Sequence, residues 1–536
     1  MKRALPCRAS LCALALMLSD GCSELKSGAE VVGPSAQAAD KPRTDAGAAQ
    51  HQQDGGLSTQ PAADEGSSSQ GCMDPAGFGG LGCYRCPASD LATLENACTS
   101  AVCTPFEDAL RLTKLLPDGT LPPLDTSAPG AAPADAGVAT APPVSAGKPC
   151  ADLSARGTVV HVAGSSAAKP FLQQIGQQLS TAQVFVVYAA TGSCVGVDAI
   201  VHGTPIKAAS TSVTYWDGPA SSGASCDLPA EGVSVDLAIS DVFAQTCPGF
   251  ALADLDALQI RDAHGPVQTM TFAVPANSPF TELSAQAAYM LYGFGSEAGI
   301  LDPSGTQPIW TNESLILQRN AASGTQALLA AAIGLPPDLW RGSKHASSDE
   351  VAAALQTAAT SEQTASDAIG ILAADYIDSK SLRAQIRVLS FRDSGQACAV
   401  YPDSSATARD KRNVRDGHYP LWGPLHLLHK VDANGNPQNA DTRAVLSDII
   451  AYLSGSKALP NGVQLIDVYA QSGLVPGCAM AVTRTSDGGN IKSQKPDQPC
   501  ACLFEAKVTG ASSCRSCRVQ GECGAGETCS AGFCER

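Results

Sequence analysis

Apolar residues along the middle of the chain come in short runs separated by helical spacing. Val159 to Ala163 reads as a strand, and Pro170 to Leu179 (PFLQQIGQQL) carries its apolar residues at helical intervals. Val184 to Tyr188 is the next strand, with a helix from about Val195. Further strands are predicted at Asp236–Ile239, Met270–Val274, Leu315–Leu317 and Val388–Ser390, with helices at Leu283–Tyr292, Gln326–Ile333 and Val351–Thr360. Strands alternating with helices imply a mainly parallel sheet covered by helices, in which ligands bind beyond the C-terminal strand ends.

Outside this stretch the pattern fails. Residues 23–71 hold almost no large apolar side chain and read as a disordered tether. Residues 72–116 carry five cysteines and too few apolar residues for a core without disulfides. Residues 117–149 are a Pro/Ala-rich linker, residues 150–490 the main domain, and 491–536 a second cysteine-rich segment, read as a disulfide-stapled cap.

Lys2, Arg3 and Arg8 precede an eight-residue apolar run, Leu11–Leu18, too short to span a bilayer but suited to a signal peptide over residues 1–22. The run leads to Leu18-Ser19-Asp20-Gly21-Cys22, which resembles a bacterial lipobox with Cys22 as the lipidated residue. The expectation is an exported protein held at the periplasm or cell surface by a lipid anchor. Export favours disulfides over thiolates, so the 21 cysteines acquire a meaning. Two lie in the signal and Cys22 would carry lipid; the other 18 can pair completely. Economy suggests Cys150 joined to the first cluster and Cys478 to the tail, with Cys194–Cys226 or Cys226–Cys247 inside the main domain.

A net charge of −16 excludes gripping nucleic acid or an anionic membrane through bulk charge. Any anion must be held locally. Three turns offer the means: Gly164-Ser165-Ser166-Ala167, Gly192-Ser193 and Ser323-Gly324-Thr325 each set small residues between a strand and a helix N-terminus, where free N–H groups and the helix dipole favour an anion. Arg319 ends a strand four residues before Ser323 and could fork onto two oxygens. Asp241, after Ser240 at another strand end, could accept a hydrogen bond from a protonated oxyanion while repelling a fully ionised one.

Those four segments, in that order, resemble the periplasmic phosphate-binding proteins of ABC-type phosphate importers, with Arg319-x3-Ser323-Gly324-Thr325 the most specific. The resemblance covers roughly Thr158 to Gly455. It implies a two-lobed α/β type II periplasmic-binding fold with mainly parallel sheets, here flanked by small disulfide-rich modules. Lobe 1 would span about 156–266 and 389–490, and lobe 2 about 267–388. It further implies that Ser166, the Ala167 N–H, Ser193 and Asp241 from lobe 1, with Arg319, Ser323, Gly324 and Thr325 from lobe 2, hold hydrogen phosphate. An ABC permease would be the partner, and no cofactor is called for. Residues 210–234 look inserted relative to the family, in a position to modify the ligand or form a lid. The polar, aromatic segment 401–424 reads as a hinge or rim, or as a loop packed on the first lobe.

No metal centre is expected: His418, His426 and His429 lie at no recognised ligand spacing, and the Cys-x2-Cys pairs 83/86 and 514/517 read as disulfide partners. No nucleophile elbow, metalloprotease motif or phosphate-loop lysine is present, so no catalytic residue is assigned. Phosphate capture competes with two other readings, a surface interaction protein using the fold as scaffold and a secreted phosphate-ester hydrolase.

Overall fold

Two long strands connect the halves of the molecule. In the computed structural model, which describes residues 71–88, 90–124, 148–207, 213–250, 254–489 and 491–535, they belong to an 11-stranded sheet. The signal segment, Cys22 and nearly all of the tether lie outside the described residues.

The first half is the parallel trio β1 (Thr158–Gly164), β2 (Val184–Ala189) and β4 (Leu237–Ser240), with β1 in the middle. Antiparallel β3 (Val213–Tyr215) lines its outer edge, followed by the two-residue strand Ala224–Ser225. The second half is the parallel trio β6 (Ile316–Arg319), β7 (Ser343–His345) and β8 (Ile369–Ala373), with β6 in the middle. Between them run the antiparallel partners β5 (Ile260–Pro275) and β10 (Trp422–Lys430). β5 pairs with β10 along its first part and with β8 and β9 (Ile386–Val388) along its second, while β10 also pairs with β4. The two-lobed α/β fold with disulfide-rich flanks is therefore present, with parallel strands inside each lobe and antiparallel strands joining them.

Helices cover the sheet where the apolar periodicity places them. α1 (Lys169–Ser180) buries Phe171, Leu172, Ile175 and Leu179, the i, i+1, i+4, i+8 stripe of an amphipathic helix. α2 (Ser193–Val201), α3 (Ala285–Phe294), α4 (Gly324–Ile333) and α5 (Ser348–Ala358) follow, and α6 (Ala374–Ser379) is a short turn directly after β8. β3, β7, β8 and β10 are the labelled strands that the apolar pattern did not mark. Val388–Ser390 is not one strand but the junction of two, β9 and Ser390–Arg392, which pair with different neighbours.

The 210–234 insert is not a lid over the strand ends. Its described part forms β3 and the sheet's outermost strand, and Trp216, 1% exposed, packs beneath α1, so close that a Cβ on Gly176 would meet its ring at 2.5 Å. Segment 401–424 packs on the first lobe, where Ala481 N donates to the Arg415 carbonyl and Arg484 to those of Pro420 and Trp422, and on the second as well. Lys411 is fully buried, its Nζ donating to Asp378 at 2.6 Å and Asp403 at 3.0 Å, and Arg383 donates to the same two carboxylates, which ties the segment to α6. Its last residues already belong to β10.

All 18 described cysteines are paired, but not all as economy suggests. Cys150 joins Cys226, and the odd cysteine of the first cluster, Cys103, reaches Cys398. Cys194 pairs with Cys247, so neither bridge expected for Cys226 within the domain forms. Cys478 does reach the tail, at Cys500. The remaining five bridges are local to the two ends.

The N-terminal cysteine-rich segment has no core of its own. Leu94, Phe106 and Leu112 sink into the main core, and Tyr289 donates to the carbonyl of Pro122, so the chain still lies on α3 six residues beyond the segment. Arg111, 2% exposed, donates to Glu282 at 2.6 Å. At the other end α7 (Arg443–Leu453), α8 (Leu465–Ser472) and α9 (Ala501–Thr509) close the fold. The fully buried Glu535 accepts from the N–H groups of Cys502 and Leu503, so the penultimate residue supplies the negative charge that a helix N-terminus favours.

Arg111→Ala should lower unfolding stability by about 3–5 kcal/mol, because Glu282 is then left buried without its counter-charge. Urea denaturation of the full chain measures it; a loss under about 1 kcal/mol would mean that the pair is not closed off from water.

Candidate oxyanion site

The strand-to-helix turns of the two lobes meet. Gly192 precedes α2 with φ of 98°, and a Cβ there would lie 2.9 Å from the carbonyl oxygen of Ala322. With no side chain in the way, the next turn of backbone docks directly: Cys194 N donates to that same carbonyl at 3.0 Å. Ala322 belongs to the turn between β6 and α4, so the contact crosses from one lobe to the other.

Ser323 caps α4, its Oγ accepting from Gln326 N at 3.4 Å, which leaves the N–H groups of Gly324 and Thr325 as the first donors of the helix. Gly324 is pressed against the opposite lobe. A Cβ on it would fall 2.4 Å from Ser193 Oγ and 2.8 Å from Asp241 Cβ. Ser193 is fully buried and its Oγ accepts from Asp241 N at 3.1 Å, so the serine positions the carboxylate's own backbone.

Arg319 is 2% exposed and spans the lobes. Its Nη2 donates to Ser166 Oγ at 3.3 Å and to the Ala346 carbonyl at 2.9 Å, its Nη1 to Ser348 Oγ at 3.0 Å, and its Nε to the His345 carbonyl at 3.3 Å. Ser166 Oγ and Ser348 Oγ lie 3.4 Å apart. The Ala167 N–H does not face outward: it donates to Ser165 Oγ at 3.1 Å within its own turn. All eight residues singled out in the sequence thus fall in or beside one interlobe seam, with Ala167 turned to its own chain.

The electrostatics follow from burial. Asp241 is 2% exposed, and loss of water pushes its carboxyl up to about 6, against the pull of the Ser165 hydroxyl and the Arg319 guanidinium. Its Oδ1 is buried without a protein partner, as is Thr325 Oγ1. Arg319 is itself drawn down by burial, while Asp241 and Glu350 oppose the shift. A carboxylate, a guanidinium and a helix N-terminus enclosed together can receive an anion that also carries a proton. The cationic groups hold its charge and Asp241 accepts its hydrogen.

Two contributors escaped the sequence reading. Ser348 is the first residue of α5, inside a Ser-Ser-Asp-Glu run whose plain meaning is a helix start; the cap proper is Ser347. Asp375, at the start of α6, lies behind the seam. Its Oδ2 accepts from Gln268 Nε2 at 2.9 Å, and Gln268 pairs across the ladder with Gly423, where a Cβ would be 3.3 Å from the Asp241 carbonyl oxygen. Burial pushes the Asp375 carboxyl up to about 8, helped by the charge of Asp241. Only a Pro-free apolar run ending in Ala-Ala-Asp marked it.

No protein-family model matches the chain, and no curated protein does. Solved structures similar to it include an ABC-type phosphate transport receptor from Vibrio cholerae, 13% identical over 59% of this chain and 99% of that one, with a TM-score of 0.35. PstS from Borrelia burgdorferi is 14% identical over 60% and 98%, with a TM-score of 0.32. A high affinity periplasmic phosphate-binding protein, PfluDING, bound with phosphate, is 14% identical over 60% and 90%, with a TM-score of 0.35. Identities this low leave the ligand to be read from the site itself.

Because the folded-state affinity of Asp375 for its proton is raised, the stability it contributes is full below about pH 4, where both states are protonated. It is lost as pH rises toward 8, since the unfolded chain ionises first. Asp375→Asn should remove that dependence and gain on the parent by at least ~1 kcal/mol between pH 5 and pH 9. Urea midpoints at the two pH values decide it; parallel changes in both proteins would show that Asp375 is ionised throughout. Gly324→Ala should hold the lobes apart, and small-angle scattering should report a larger radius of gyration than for the parent; an unchanged radius would mean the seam absorbs the methyl group.

Proposed function

We propose that this protein is an exported solute-binding protein that captures inorganic phosphate, as hydrogen phosphate, between its lobes for ABC-type uptake. One observation carries the reading: Asp241 is buried with a free oxygen against the N-terminus of α4 and within electrostatic reach of Arg319. A fully ionised oxyanion would meet a carboxylate there, whereas hydrogen phosphate offers it a proton. The long 3.3 Å contacts of Arg319 to Ser166 and to the His345 carbonyl are the ones that yield as the anion enters, and Thr325 Oγ1 gains an acceptor.

In this reading Ser166 and Ser193 hold the anion from the first lobe, with the Ala167 N–H recruited when its bond to Ser165 opens. Arg319, Ser323, Gly324 and Thr325 hold it from the second. Backbone donors and one buried guanidinium do the work because the chain as a whole repels anions. Lipid attachment at Cys22 and a permease partner belong to the same reading. The seam's serines are engaged by Arg319, by the start of α4 or by the Asp241 N–H, which favours binding over ester hydrolysis.

Isothermal titration of the full chain at pH 7.5 should show one phosphate site, displaced by arsenate and indifferent to sulfate. Asp241→Asn should weaken phosphate by about 10- to 100-fold, the 1.4–2.8 kcal/mol of a hydrogen bond to a charged group, and admit sulfate. With the Asp241 carboxyl near 6, its protonated form at pH 5 donates rather than accepts, so sulfate should bind the parent more tightly at pH 5 than at pH 7.5. No heat with phosphate and no competition by arsenate would instead make the fold a scaffold for surface interactions.

A further inference from the structure

The joining ladder carries a second cluster that the anion seam does not use. Register sets His426 on β10 directly opposite His264 on β5, and Asp262 precedes His264 by two residues, on the same face of its strand. The donor atoms gather. Asp262 Oδ2 lies 2.7 Å from His426 Nδ1 and 3.9 Å from His264 Nε2, and one donor atom from each of the three residues falls within 4.8 Å of the others.

The surroundings confine the cluster without filling it. The two imidazoles meet edge to face, 4.9 Å between ring centroids, and Phe243 lies against both, 4.2 Å from His426 and 5.9 Å from His264. His426 is fully buried, with Nε2 unpartnered, and Asp262 Oδ1 is likewise buried without a partner. A simple His426–Asp262 ion pair explains the 2.7 Å contact. It does not explain a second imidazole turned toward the same carboxylate, nor two buried polar atoms left without partners. The His264 side chain is half exposed, so the cluster is open to solvent on one side.

We propose that His264, His426 and Asp262 bind a divalent first-row transition cation of the zinc or copper class. Two imidazole nitrogens and one carboxylate oxygen form a donor set suited to those ions and too poor in oxygen for calcium or magnesium. Bonds of about 2.0–2.1 Å to a tetrahedral ion place neighbouring donors roughly 3.3 Å apart, so Asp262 and His426 need separate only slightly and the exposed His264 swings inward. Three protein ligands leave a position for water. Asp487, near enough to His426 for the charges to interact, adds negative charge behind the ligand set. The spacing of histidines along the chain hides the site, because its members come from two strands more than 150 residues apart and only the ladder register unites them. In the same register His426 faces Ser240 on its other side, one residue from Asp241.

The test is direct titration of the untagged, chelator-stripped chain with Zn²⁺ and, separately, Cu²⁺, with Co²⁺ as a spectroscopic probe. One equivalent should bind with a Kd of about 1 µM or tighter, and Co²⁺ should give the visible absorption of a tetrahedral site. His264→Gln, a half-exposed position that leaves the fold intact, should weaken binding at least ~10-fold and bleach the Co²⁺ band, while His202→Gln, at an exposed histidine elsewhere, should change neither. Asp262→Asn should repeat the loss. Absence of saturable binding below ~100 µM, or binding that survives His264→Gln unchanged, would overturn the assignment. None of these readouts depends on phosphate, so this proposal and the anion reading stand or fall separately.

Discussion

The antiparallel ladder of β5 and β10 is the constraint on which the rest depends. β5 is 16 residues long, and its two parts hydrogen-bond to different lobes. Each parallel trio could exist as a separate layer, but only this ladder brings the C-terminal ends of β1 and β4 opposite the end of β6. The distance from Arg319 to Ser166, the docking of Gly324 on Ser193, and the meeting of His264 with His426 are all set by its register. A slip of one residue would turn every side chain of β10 to the opposite face and separate each of these pairs.

A chain of net charge −16 that buries carboxylates has to account for each of them. Lys411 and Arg383 neutralise Asp378 and Asp403, and Arg111 neutralises Glu282. Asp241 and Asp375 are treated differently: burial outweighs their cationic neighbours and raises both, the pattern of groups kept ready to exchange or share a proton. Burial raises Glu95, to about 8, and Asp487 in the same way, so the division runs between buried acids held in a salt bridge and those that are not.

How far the sequence reveals this depends on the range of the signal. The strand–turn–helix units around Gly164, Gly192 and Ser323 were legible because an apolar run, small turn residues and an amphipathic helix follow one another within about 25 residues. β10 was not, since Trp-Gly-Pro-Leu-His-Leu-Leu-His-Lys mixes a glycine, a proline and two histidines into a strand whose burial comes from its neighbours. Ser348 was concealed by its ordinary meaning as a helix start, and Asp375 by lying one turn behind the motif. The pairing of Cys103 with Cys398, and the insert's place at the sheet edge, rest on tertiary contacts that no local pattern encodes.

That Cys103–Cys398 bridge has a consequence for how the molecule is made. Its partners are 295 residues apart, whereas the other two bridges of the N-terminal segment close over 14 and 15. At synthesis rates of ~5–20 residues per second, Cys103 waits roughly 15–60 s for its partner, among four neighbouring cysteines that emerge with it. Its thiol must stay reduced, or be released from a wrong partner by exchange, until both lobes have been made. Maturation of this protein therefore depends either on protecting that one thiol or on exchanging a wrong bridge for the right one.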